Sequence, residues 1–292
     1  MRKFIFGTDW GEDCDDVVAA RILARKHKAK EIELIGIGIN TLVETSASSL
    51  YGFLKCEGVY NIPVGVDKSY QEKLRHARYQ SRLSAYSEKS NDNAEDSVRL
   101  YRRLLAGAEG KVEIIEVGFL QVIARALLSG PDDISELSGM ELFEKKVDHV
   151  WIMGGKWSEQ GGKEYNFCEF PTSVWGSSQF VNNCPVPITF LGWEIGANVI
   201  TGDELRKTDV LHEALKDHGS ENGRESWDPM LTLLAITGDC EKAGYEAVHI
   251  VPQISSQTGA NYYEIKEGAK DRFVKKKHPD EYYIRRINDI IN

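Results

Sequence analysis

The chain has 292 residues and is 41% hydrophobic, enough for one large core, and α/β folds of this length commonly form a single domain. Its formal net charge of −9 sets the average field against phosphate-rich partners, and the short basic run Lys275, Lys276 and Lys277 reads as a solvated face. Nucleic acid is therefore not an expected partner, whereas a neutral small molecule is. The 5 cysteines are odd in number, scattered and without a CxxC pair, which argues against a disulfide framework and structural zinc and for a reducing compartment.

Met1-Arg2-Lys3 is followed by only Phe4, Ile5 and Phe6 before Gly7, too short an apolar stretch for a signal peptide. No run approaches the roughly 18 apolar residues of a membrane span, so a cytoplasmic location without membrane contact is expected.

Phe4-Ile5-Phe6 reads as a first strand, followed by an amphipathic stretch over 17–29, an apolar run over 32–39 and a helix over 44–56. A helical stretch over 95–105, a run over 112–117, a helix over 120–128 and a run over 147–153 continue the rhythm. Residues 187–191 add a strand, 228–236 read as a buried helix and 279–291 as a closing amphipathic one. Strand and helix in alternation predict one open, mostly parallel α/β sheet flanked by helices over residues 1–292. Residues 69–93 are polar, lack clear periodicity and are too long for an ordinary connection, as expected of a lid or insertion beside a site.

In parallel sheets ligands bind beyond the carboxyl ends of the strands, so the polar residues after each apolar run are the candidates. After the first strand come Asp9, Glu12, Asp13, Asp15 and Asp16; after the second, Asn40; after 147–153, Gly154, Gly155, Glu164 and Asn166. Carboxylates crowded this closely raise one another's pKa unless a cation relieves them, and oxygen ligands suit a hard metal. Calcium, which takes 6 to 8 oxygens and tolerates bidentate carboxylates, is preferred to magnesium, and no His/Cys cluster supports zinc. The alternative is a solvated turn whose acids cap the next helix, although a cap needs only one carboxylate.

Thr8-Asp9-Trp10-Gly11-Glu12-Asp13-Cys14-Asp15-Asp16 resembles the N-terminal signature of inosine-uridine-type nucleoside hydrolases, with Gly7 where that family usually has an aspartate. The similarity continues at matching intervals. Ile39-Asn40 resembles the second-strand segment ending in asparagine, and Val117-Gly118-Phe119-Leu120 the turn that donates a backbone carbonyl to calcium. Met153-Gly154-Gly155 and Glu164-Tyr165-Asn166-Phe167 are similar to the pair of motifs lining the ribose, and Trp227-Asp228-Pro229 stands where the last metal aspartate does.

The resemblance implies a calcium-dependent N-ribohydrolase, homodimeric or homotetrameric, that cleaves a small-molecule nucleoside to ribose and free base. It implies calcium held by Asp9, Asp16, the Val117 carbonyl and Asp228, with Asp9 also the general base acting on a water held there. Asp15, Asn40, Glu164 and Asn166 are implied to hold the ribose hydroxyls, with Met153 packing beside the sugar. Buried carboxylates and amide oxygens suit the oxocarbenium-like state of glycosidic cleavage.

Trp227 occupies the position at which well-known relatives carry a histidine that protonates the leaving base, and an indole has no titratable proton near neutrality. Trp227 either stacks on the base or belongs to the core. The loop over 156–163 also lacks the usual ribose-binding asparagine. The seven histidines are possible acids but fall outside the matched motifs and read as surface or core residues, His76 in the polar segment over 69–93 being the best candidate acid among them. A protein of the same fold that binds ribosides or sugars without cleaving them is the alternative reading.

Overall fold

Apolar runs with no polar face, such as Phe4-Ile5-Phe6, suit strands covered on both sides by helices. The computed structural model describes residues 1–11, 13–73 and 78–292, and its strands are β1 (Lys3–Thr8), β2 (Glu33–Ile39), β3 (Val64–Val66), β4 (Glu95–Asp96), β5 (Val112–Glu116), β6 (Val147–Met153), β7 (Ile188–Leu191), β8 (Ile200–Thr201), β9 (Arg224–Glu225), β10 (Tyr245–Ile254), β11 (Asn261–Ile265) and β12 (Asp271–Lys276). Ten of them form one sheet in the order β11-β10-β12-β7-β6-β5-β1-β2-β3-β4. From β4 to β12 every neighbour pair is parallel, and β10 runs antiparallel to both β12 and β11. Strands β8 and β9 pair separately.

Successive side chains of a strand point to opposite faces, and β1 shows the consequence. Phe4 and Phe6 join a core with Val17, Leu50, Leu231 and Ile287 from the helices Asp15–Lys28, Ser46–Cys56, Trp227–Thr237 and Asp280–Ile291. Ile5 joins the opposite core with Ile123 and Phe180 from the helices Gln121–Leu128 and Pro171–Asn183. No described helix is long and apolar enough to cross a membrane.

Three departures from the sequence reading have local causes. The helix expected from residue 95 starts at Ser97, because the Asp96 carboxylate accepts from the N–H groups of Val98 at 3.0 Å and Arg99 at 3.3 Å and caps it. The β10–β12 ribbon, with Glu246, Val251 and Gln253 of β10 exposed, was not anticipated. Within residues 69–93 a helix, Arg78–Ser84, buries Tyr79 and Leu83, four positions apart and too short a repeat to register as a period. Residues 74–77, with His76, and Glu12 lie outside the described residues.

Strand β1 is the point where the strand order reverses, since the chain moves from β1 to β2 on one side and returns from β4 to β5 on the other. The crevice beyond the carboxyl ends at such a reversal is where α/β sheets place ligands.

Candidate active site

Register brings separate parts of the chain to that crevice. Thr8 pairs with Ile39, Gly7 with Glu116, and Glu116 with Ile152, so Asp9, Asn40, Val117 and Met153 end four adjacent strands on one edge. Gly118 lets the turns after β1 and β5 meet: a Cβ there would stand 2.8 Å from the Asp9 Cβ and 3.0 Å from the Asn40 Nδ2.

The residue after Asp9 holds a strained backbone. Trp10 has φ 42, a left-handed conformation that a bulky residue adopts only when its surroundings impose it. The fully buried indole donates from Nε1 to Ser49 Oγ at 2.8 Å and packs on Phe53 and Tyr79. Gln80 Nε2 and the Tyr79 hydroxyl donate to the carbonyls of Trp10 and Gly11. Residues of the unassigned polar segment thus shape the acidic loop.

Asp15 and Asp16 lie in the first turn of one helix and Asp228 in the first turn of another. All three are buried, each with a carboxylate oxygen within 4.8 Å of the others. Among the described residues no side chain caps the helix that begins at Asp15. Asp15 Oδ2 accepts from the Asp228 N–H at 3.1 Å, and Asp16 Oδ1 from the Thr8 hydroxyl and, at 3.4 Å, the Trp10 N–H.

Burial pushes the three carboxyl groups well above the usual range, and repulsion among the acids adds to it. Asp9, half-buried beside them, is pushed up to about 7 by burial and by the charges of Asp13 and Asp15. Buried oxygens converging in this way fit a hard divalent cation, whose charge would let them ionise together. The close trio includes Asp15, which the resemblance gives to the ribose; Asp9 and Val117 line the same cavity.

That cavity has a volume of about 620 Å³ and is lined by Asp9, Asp15, Asp16, Val117, Met153, Glu164, Asn166, Trp227 and Asp228 among others. Asn40 is not part of the lining. Its Oδ1 accepts from the Phe119 N–H at 3.3 Å, and its buried Nδ2 has no hydrogen-bond partner among the described residues. Glu164 is held by two backbone donors, Gly155 N–H on Oε2 at 3.0 Å and Asn166 N–H on Oε1 at 2.8 Å, and burial raises its pKa to about 7. Asn166 Nδ2 donates to the carbonyl of Val117 at 2.8 Å and that of Met153 at 3.2 Å.

Trp227 is half-buried on the cavity wall, with its Nε1 donating to the Trp193 carbonyl at 2.7 Å. The Arg224 guanidinium lies 5.5 Å from the Trp227 ring, held by a fork onto Asp13 at 2.8 and 2.7 Å. Arg224 carries no motif in the sequence, and only the fold brings it to Asp13. Arg78, Tyr165, Trp193, Lys216 and His218 also line the cavity without having been singled out as site residues. His218, read from sequence as surface or core, had no local signal to mark it.

No protein-family model and no curated protein sequence matches this chain. Solved structures are similar over their whole length. An inosine-guanosine nucleoside hydrolase is 15% identical with a TM-score of 0.72, covering 100% of this chain and 99% of its own. The inosine-uridine preferring nucleoside hydrolase from Bacillus anthracis is 17% identical with a TM-score of 0.70, covering 99% and 100%. The type III effector protein XopQ, solved in complex with adenosine diphosphate ribose, is 14% identical with a TM-score of 0.73, covering 99% and 93%. The chain therefore has the nucleoside hydrolase fold.

Proposed function

We propose that the protein is a calcium-dependent nucleoside hydrolase, which cleaves the N-glycosidic bond of a ribonucleoside with water to give ribose and free base. The observation that carries this reading is the meeting, in one cavity, of Asp9 with the buried carboxylates of Asp15, Asp16 and Asp228 and with Glu164 and Asn166. The sequence resemblance and the fold support it.

Asp9, Asp16, Asp228 and the Val117 carbonyl would hold the cation, with Asp15 close enough to share it. When bound, calcium supplies positive charge that lets the acids ionise together and lowers the pKa of a nearby water. Asp9, on the cavity surface, takes a proton from the attacking water. Glu164, pinned by two backbone N–H groups, accepts from a ribose hydroxyl without swinging away, and Asn166 is fixed alongside it by Val117 and Met153. Holding the sugar in attack geometry lowers the barrier by several kcal/mol. Trp227 offers its ring to the base.

The test is reducing-sugar release from purine, pyrimidine and nicotinamide ribosides, with calcium and with chelator, and with Asp9→Ala as the blank. Calcium-dependent release that vanishes in the variant is expected. Calcium binding with no riboside cleaved would favour the second reading, a riboside-binding protein, for which the neighbour solved with adenosine diphosphate ribose is the motive.

A further inference from the structure

We propose that His218 protonates the leaving base as the glycosidic bond breaks. The inference rests on the hydrolase reading and adds to it a group that the matched motifs do not contain. His218 is the last residue of the helix Val210–His218 and lines the cavity that also holds Asp9 and Trp227.

Two ion pairs tie that helix to its neighbours, and Gly219 in the left-handed conformation ends it. Buried Arg21 bonds Asp209, the residue that caps its start, at 2.6 Å, and Arg82 of the helix Arg78–Ser84 forks onto Asp217 near its end. His218 is thereby held over the loop that carries Asp13 and Cys14, with a ring nitrogen within 4.8 Å of a carboxylate oxygen of Asp13 and of the Cys14 sulfur. Its Nδ1 lies 2.9 Å from Ser220 Oγ.

The ring sits at the carboxyl end of its helix beside the Asp13 carboxylate. The other charged groups near this wall among the described residues include Arg224, forked onto Asp13 and paired with Glu225, Asp15 on the same cavity, Glu213, Lys216 and Asp217 on the same helix, and Arg78 and Arg82 on the helix packed against it.

The other acids on the cavity have work of their own in the hydrolase reading: Asp9 takes the water proton, Asp15, Asp16 and Asp228 face the cation, and Glu164 holds the ribose. Both oxygens of Glu164 already accept backbone N–H groups. Asp13 is held as the anion by Arg224, whose fork onto it keeps its pKa below the usual value. Ammonium and guanidinium groups and phenols ordinarily release protons only near pH 10 or above, about 3 units or more from neutrality. Imidazole titrates where a general acid works best.

The step balances as follows. The C1′–N bond breaks and its electron pair stays on the base, which takes the imidazolium proton, while the water oxygen bonds to C1′ and Asp9 takes a water proton. Solvent then returns a proton to His218 and removes one from Asp9.

The test compares wild type with His218→Gln, using the full chain with calcium, on inosine and on 4-nitrophenyl β-D-ribofuranoside, whose nitrophenolate leaves without a proton. The expected result is a fall in kcat/KM of about 10²- to 10⁴-fold on inosine, with the nitrophenyl riboside little affected. Equal losses on both substrates, no loss on either, or the same split produced by Tyr165→Phe but not by His218→Gln would overturn the proposal. A wild type that cleaves neither substrate would instead overturn the hydrolase reading on which it rests.

Discussion

The carboxyl group of Glu116 fills the space beside β1 that a side chain at Gly7 would need, so a Cβ there would overlap both carboxyl oxygens. Glu116 is buried and bonded to the Tyr101 hydroxyl at 2.5 Å. The space beside β1 at Gly7 is thus taken by a carboxyl group entering from β5.

Gly7→Ala should destabilise the fold by about 1–3 kcal/mol, the usual effect of overpacking a closed site. The cost should shrink when Glu116→Ala makes room. Thermal unfolding of the two single variants and the double variant checks this, since strict additivity would show that the two residues do not compete for space.

Burial pushes the Glu116 carboxyl from the ordinary 4.5 up to about 8, against the opposing effect of its bond from Tyr101. The native state therefore binds a proton that the unfolded chain has released between those values, and this group's contribution to stability falls as pH rises through that window. Glu116→Gln, which cannot ionise, should flatten the decline and gain on wild type at pH 8.5 while matching it near pH 4. Parallel stability curves for the two proteins would contradict the assignment.

Asp15, Asp16 and Asp228, all raised by burial, likewise favour folding at low pH and lose that contribution as pH rises. A cation that stabilises their ionised forms should reverse the trend. Calcium should raise the unfolding midpoint more at pH 7.5 than at pH 5, because at the lower pH it must displace protons. At 100-fold excess over its Kd the gain is about 2.7 kcal/mol. Asp228→Asn should remove most of the effect, and a midpoint indifferent to calcium in the unaltered chain would argue against the site.

Trp227 and Trp193 share the cavity wall, so a base stacking on the indole should change its emission. Titration with a free purine should quench intrinsic fluorescence, and Trp227→Phe should remove most of the change. Quenching that is unaltered by the substitution would place the base elsewhere.

The alternation of apolar runs with amphipathic stretches made the parallel sheet legible, because strands covered on both faces must be continuously apolar. The acidic loop was legible for a similar reason: carboxylates packed so densely have few stable arrangements without a cation. Asp9, Asp15, Asp16, Val117, Met153, Glu164, Asn166, Trp227 and Asp228 could be picked out because each follows a strand or opens a helix within a recognisable motif. Arg224 and His218 had no such local mark. Arg224 reaches Asp13 across 211 positions of sequence, and His218 reaches the cavity at the end of a helix that Arg21 and Arg82 tie to distant parts of the chain. Hydrophobic period and loop chemistry are local properties that a sequence displays directly. Which charged side chains meet across a cavity depends on how distant helices pack, and the tertiary structure alone decided that.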